Sequence, residues 1–319
     1  MLQNNVGIIK NYADVDKGNV ENKKRHNLET LTINISPSFE IKDDRFDTNQ
    51  ISESHLLIEV SRDRFRFAVH HAEHDVVMWL EDYHIFSLLT ENQLIKSLKT
   101  IYQQHVFLSA NYWKTIRLTV HANHFTLIPD EYYEADEAAK YLNFAAGKNL
   151  SEREHIFDFK HSRFGAVSIF GVEKELISWF REMYPARQIT PVPVLGSLME
   201  GIVQDRNNNG LHLYFEDHYV SVLYFKDAKL HFCNRFQFRT SQDMVYHVLF
   251  VMNELSLQTE MPVTFYGEIT TFSEGYVQLS KSLSNIKFAL NPTKLRFSQY
   301  FEDLPEHRYY TLFSSYYLY

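Results

Sequence analysis

Two stretches of the chain repeat one order of elements, and that order limits the folds open to it. Residues 211–215 (LHLYF), 219–225 (YVSVLYF) and 229–238 (KLHFCNRFQF) are short aromatic and β-branched runs, separated by the polar breaks Glu216-Asp217-His218 and Lys226-Asp227-Ala228. This is the pattern of three antiparallel strands in a meander. The period then changes. From 240 to 257, Met244, Val245, Val248, Leu249, Met252 and Leu255 recur three and four residues apart, the spacing of one helix face, and Thr240-x-x-Asp243 can cap the first turn. A return strand follows over 262–266 and ends at Gly267. Upstream, 56–60 (LLIEV), 64–70 (RFRFAVH) and 76–83 (VVMWLEDY) form the same three runs. A helix starts there at Thr90, with Gln93 at the capping-box position and Leu94, Leu98, Ile101 and Tyr102 on one face, before a strand over 115–122. A helical crossover lets the fourth strand lie parallel to the first, so the pattern predicts a duplicated mixed α/β architecture. Aligning 57–69 on 211–223 places Phe65 over Tyr219 and Asp63 over Asp217.

Between the copies the pattern predicts a short strand over 125–129, and a helix capped by Asp130 that runs towards Phe144 and stops at Gly147. A strand over 165–171, a helix over 173–184, a bend at Pro191 and Pro193, and a further helix carrying Leu195, Leu198, Met199, Ile202 and Val203 follow. The turn Asn207-Asn208-Asn209-Gly210 marks a domain boundary. After Gly267 a short helix around Tyr276 to Leu283 and a strand over 286–290 are expected, and 31–35 reads as a short strand near the start. The expected organisation is a flexible, polar tail over 1–27, a first domain over 28–206 with a small insert at about 124–164, and a second domain over 207–319.

The formal charge is −8, from 32 Lys and Arg against 40 Asp and Glu, with no basic block longer than Lys23-Lys24-Arg25. No surface for nucleic acid is indicated. The one cysteine, Cys233, has no partner in the chain and reads as a small core side chain, which fits a reducing cytoplasm. No apolar run reaches the ~20 residues of a membrane span, and the polar first 30 residues lack the apolar core of a signal peptide. A cytoplasmic location is therefore expected.

The segments TLTINIS (30–36), HHAEHDVVMW (70–79), TLIPDEYY (126–133), the long run from Tyr214 to Leu249 and VTFYGEI (263–269) together resemble a bacterial family of unknown function, DUF3822-like, of the actin-like ATPase superfamily. Within that superfamily the chain is similar to the pilus-assembly and cell-division proteins. The resemblance covers about residues 28–292. It implies an α/β, duplicated ribonuclease-H-like (actin-like ATPase) fold, with two mixed-sheet domains and flanking helices. Enzymes of that superfamily cradle phosphates in two strand-to-strand turns of Asp-x-Gly type, because only glycine lets backbone N–H groups approach closely enough. Here those turns are Ser61-Arg62-Asp63-Arg64 and Glu216-Asp217-His218-Tyr219, without glycine, and the later glycine run is reduced to Gly267. The expected function is a non-enzymatic actin-like adaptor or scaffold, a pseudo-enzyme with degenerate phosphate loops and no cofactor. The alternative is a divergent ATP-binding protein holding ATP-Mg with Asp63, Asp217 and Gly267 as cofactor-binding residues. A second alternative is a ribonuclease-H-like metal-dependent nuclease built on Glu59, joined by Glu81 and Asp82.

Two histidine clusters, His70, His71 and His74 with Glu73, and His121 with His124, fall short of a metal site by spacing, since adjacent strand residues point apart. No metal ligand and no catalytic residue is assigned. The protein partner is not named by any motif. The uncharged aromatic segment over 309–319 (YYTLFSSYYLY) either packs on its own domain or pairs with a second copy as an added strand, giving a homodimer.

Overall fold

Strand pairing follows the repeated order of elements. The structure, a computed structural model, describes residues 35–85, 91–150, 152–204 and 208–318. The tail over 1–27, the helix start at Thr90 and most of the strand over 31–35 fall outside these residues. In chain order the strands and helices are β1 (Phe39–Lys42), β2 (Ser54–Val60), β3 (Arg64–His71), β4 (Val76–His84), α1 (Glu91–Gln104), β5 (Thr115–Val120), β6 (Phe125–Pro129), α2 (Ala138–Ala146), β7 (Glu154–His161), β8 (Ala166–Glu173) and α3 (Lys174–Met183). They continue with β9 (Pro191–Pro193), α4 (Val194–Gln204), β10 (Gly210–Phe215), β11 (Tyr219–Lys226), β12 (Lys229–Gln237), α5 (Ser241–Glu254), β13 (Val263–Gly267), α6 (Glu274–Leu279), β14 (Ile286–Phe288) and α7 (Glu306–Ser314).

The first sheet has the order β1-β4-β3-β2-β5-β9 and the second β12-β11-β10-β13-β14. In each copy two hairpins are antiparallel and the return strand is parallel, β5 on β2 and β13 on β10. A third sheet, β6-β8-β7, forms the insert and is completed by a strand beyond residue 164. From Asn34 onward the chain is one compact unit, so the two copies are halves of one body.

Period-two alternation decides which face each strand buries. Leu56, Ile58, Phe65 and Phe67 pack beneath Leu98, Ile101 and Tyr102 of α1 and Ile177 and Phe180 of α3. Leu211, Leu213 and Phe215 pack beneath Met244, Val248 and Met252 of α5. That helix begins with the expected capping box between Thr240 and Asp243. The opposite faces of the two sheets look towards α4 and α7.

Two expectations are corrected and one open pair of readings is decided. Asp130 does not cap a helix: residues Asp130–Tyr132 and Ala135–Glu137 form separate 3₁₀ turns before α2, although Gly147 ends α2 in the left-handed conformation as expected. Pro191 and Pro193 sit in β9, an edge strand, where a proline's missing N–H is tolerated. Of the two readings for the aromatic segment, packing on its own domain is the one seen: over 309–318 it is the end of α7 followed by a 3₁₀ turn, and Tyr309 to Ser315 are buried within the chain.

Candidate functional site: the cleft between the two halves

The two hairpin turns singled out by sequence open onto one cavity of about 380 Å³. The turns have the same geometry: the Ser61 N–H donates to the Arg64 carbonyl and the Glu216 N–H to the Tyr219 carbonyl, both at 2.9 Å. Ser61 therefore matches Glu216, and Asp63 matches His218, one residue away from the alignment that put Asp63 over Asp217. The two aspartates still meet. The Asp63 and Asp217 carboxyls lie close enough to perturb each other. Desolvation and the neighbouring Asp63 push Asp217 up, while the Ser61 hydroxyl and the nearby Asp217 outweigh burial and hold Asp63 down, so the pair favours sharing a single proton.

Deeper in the cleft lies a network of charged side chains on the faces of β2, β3 and β4 opposite the α1 core. Arg66, 3% exposed, reaches Glu59 at 3.2 Å and Asp82 at 3.0 Å, and pairs across the cleft with Glu268, just beyond β13. Arg64 bonds Asp82 and Glu268, both at 3.2 Å, and Arg308 of α7 bonds Glu268 at 2.9 Å. Burial would raise the Glu268 carboxyl; Arg66, Arg64 and Arg308 instead hold it down to about 2. His121, just after β5, bridges the halves from the other side, with Nδ1 2.9 Å from Glu216 and Nε2 3.4 Å from Glu59. Burial favours the neutral ring, but the two carboxylates raise it to about 9, so His121 is charged at neutral pH. Arg235 of β12 grips Glu216 with two N–H···O bonds of 2.9 and 2.8 Å, donates to the Ala122 carbonyl at 3.0 Å and lies over the Tyr219 ring. The Thr311 hydroxyl of α7 donates to Glu59 at 2.6 Å.

Each residue named from the sequence now has a place. Gly267 has φ of +81°, and a Cβ there would collide with the Phe215 carbonyl oxygen, so the glycine is required by the close approach of β13 to β10. Glu59 and Asp82 share a face, with the Arg66 guanidinium between them; Glu81 points to the other face, onto Trp79, Tyr83 and His105. His70 contacts Asp75 and Tyr316, His71 stacks on His74, and His124 pairs with Glu154. Among the described residues no group of three or more His, Cys, Asp or Glu side chains is placed to hold a metal ion. Cys233 packs beside Leu223 and Phe225, and burial pushes its thiol up to about 12.

Sequence reasoning missed Arg64, Arg66 and Arg235 as a set. The signal was present: in RFRF the aromatics Phe65 and Phe67 claim one face, so the arginines must enter the other. On a strand covered on both sides a charge needs a partner. Also unforeseen is a Ser-His-Glu arrangement, with Glu200 Oε1 2.7 Å from His161 Nδ1 and His161 Nε2 2.7 Å from Ser168 Oγ. His161 and Ser168 have no exposed surface, so no substrate reaches the hydroxyl, and the relay ties the insert sheet to α4.

A family described as "Protein of unknown function (DUF3822)" matches residues 43–286. The chain belongs to this family. No curated protein matches the chain. Among solved structures, the chain is similar to a Bacteroides thetaiotaomicron protein with actin-like ATPase fold and unknown function. It shares 20% identity at a TM-score of 0.68, over 76% of this chain and 93% of that one. A PilM-PilN type IV pilus biogenesis complex is similar at 11% identity and a TM-score of 0.52, over 82% of this chain and 96% of that one. The chain thus has the actin-like ATPase fold, with its cleft at the place where the β2-β3 and β10-β11 turns face each other. No helix among the described residues is long and apolar enough to cross a membrane.

Proposed function

We propose that this protein is a non-enzymatic actin-like adaptor, a pseudo-enzyme whose two halves are clasped by its own side chains in place of a bound nucleotide. One observation carries the reading: the charges of the cleft are already paired across it, Arg64 and Arg66 with Glu268 and His121 with Glu216. The residues do not fit a triphosphate. The turns that would face it lack glycine, their carboxylates Asp63 and Asp217 would repel it, and Arg64, Arg66 and Arg235 are neutralised by Asp82, Glu59, Glu216 and Glu268. The same pairing argues against a metal-dependent nuclease, because Glu59 is bound by Arg66, His121 and Thr311. An adaptor works through protein contacts, in a cytoplasmic setting, and the PilM-PilN complex is a case in which this fold occurs with a protein partner.

The cavity of about 380 Å³ favours a second reading, a divergent ATP-binding protein with Asp63, Asp217 and Gly267 at the nucleotide. Calorimetric titration of the whole chain with ATP and magnesium separates the two. The adaptor reading expects no saturable heat; a Kd tighter than about 100 μM, roughly 5.5 kcal/mol, overturns it.

A further inference from the structure

A second cavity, of about 540 Å³, opens at the far end of the second sheet and shares no lining residue with the cleft. Its floor is a row of side chains on neighbouring strands, since His212 of β10 lies opposite Thr264 of β13, and Thr264 opposite Lys287 of β14. Ile202 of α4, Ala289 and Leu290 supply apolar surface, and Leu290 at the rim is 72% exposed.

The polar groups of this floor fall into two kinds. His212 Nε2–H donates to the Asn208 carbonyl at 2.9 Å, so its Nδ1 accepts the Tyr266 hydroxyl at 2.9 Å. Burial holds this imidazole down to about 4, which keeps the pair neutral and internally satisfied. Lys287 differs. It is the one charged side chain on the lining, it is exposed at the cavity mouth, and among the described residues it has no hydrogen-bond or ion-pair partner. An uncompensated ammonium beside an apolar cavity, in a chain of net charge −8, is complementary to an anion with an apolar body. A single ammonium, with no guanidinium fork beside it, matches a singly charged carboxylate better than a doubly charged phosphate.

We propose that this cavity binds a small organic carboxylate, its headgroup on Lys287 and its apolar body against Ile202, Ala289 and Leu290. The site is independent of the cleft, so it stands whether or not the cleft takes a nucleotide. Titration of the whole chain with octanoate, followed by calorimetry, tests it. The expected result is one saturable site with a Kd near or below about 1 mM. Lys287 is exposed on an edge strand, so Lys287→Met is expected to keep the fold, checked by circular dichroism, and to weaken octanoate at least about tenfold. Leu290→Asp, which sets a carboxylate at the rim, is expected to do the same, and octylamine is expected not to bind. No saturable binding of octanoate, equal affinity in Lys287→Met, or equal binding of octylamine overturns the proposal.

Discussion

Glu268→Gln removes the carboxylate on which three arginines from two elements converge, and the structure gives the size of the effect. Glu268 is 20% exposed at its side chain and its carboxyl is held from an ordinary 4.5 down to about 2. At about 1.4 kcal/mol per pKa unit, the charged form is stabilised in the fold by about 3 kcal/mol. Arg66 keeps Glu59 and Asp82, Arg64 keeps Asp82, and Arg308, which loses its carboxylate, is 35% exposed and can turn to water, so the variant leaves no arginine buried and unpaired, and the loss should not exceed that figure by much. The folded-state pKa is depressed, so the stabilisation is fully present above about pH 5 and is lost as the pH falls towards 2. Urea unfolding of wild type and Glu268→Gln should therefore differ by about 3 kcal/mol at pH 7 and by about 1 kcal/mol at pH 3. Urea is the denaturant of choice because guanidinium salt would screen the pairs under test. A difference below about 0.5 kcal/mol at pH 7, or one that does not shrink on acidification, refutes the clasp as a stabilising element.

His121 supplies the opposite pH signature. Its pKa is raised to about 9, so its contribution is complete below about pH 6.5 and is lost as the pH rises through 9. The stability gap between wild type and His121→Asn should close between pH 7 and pH 10, and a gap constant over that range would count against the bridge. Phe313→Ala empties a fully buried site on α7 and should cost about 3–5 kcal/mol, lowering the Tm by roughly 6 °C or more. An unchanged Tm would mean that α7 does not sit in the core.

The meanders, both crossover helices and the parallel return strands were legible because each carries its own period: two in the strands, three to four in α1 and α5. The capping box at Thr240 and the left-handed stop at Gly147 were legible because they are local chemistry. What the local pattern hid was long-range. The role of Arg66 depends on Glu268, which lies some two hundred residues later, and Asp63 finds Asp217 only after two sheets have been brought together. An alignment by hydrophobic pattern and turn position is off by one residue, because no glycine is there to anchor it. The aromatic run over 309–319 left own-domain packing and an added strand both open because its aromatics show no single face; residues 309–315 are buried, and a helix covered all round has no polar stripe to betray its period.

The position of α7 also sets a timetable. Glu59 accepts the Thr311 hydroxyl and Arg66 donates to the Arg308 carbonyl, contacts that span 252 and 242 residues. On the ribosome, β2 and β3 emerge long before the helix that covers them. At roughly 5–20 residues per second, the nascent first sheet waits on the order of ten seconds or more with Leu57, Ala68 and Leu80 uncovered. The Glu59-Arg66 pair keeps that waiting surface from being uniformly greasy. Replacing the pair by well-packed apolar residues could leave the finished fold as stable as before and still lower the yield, because the loss would fall on the unfinished chain.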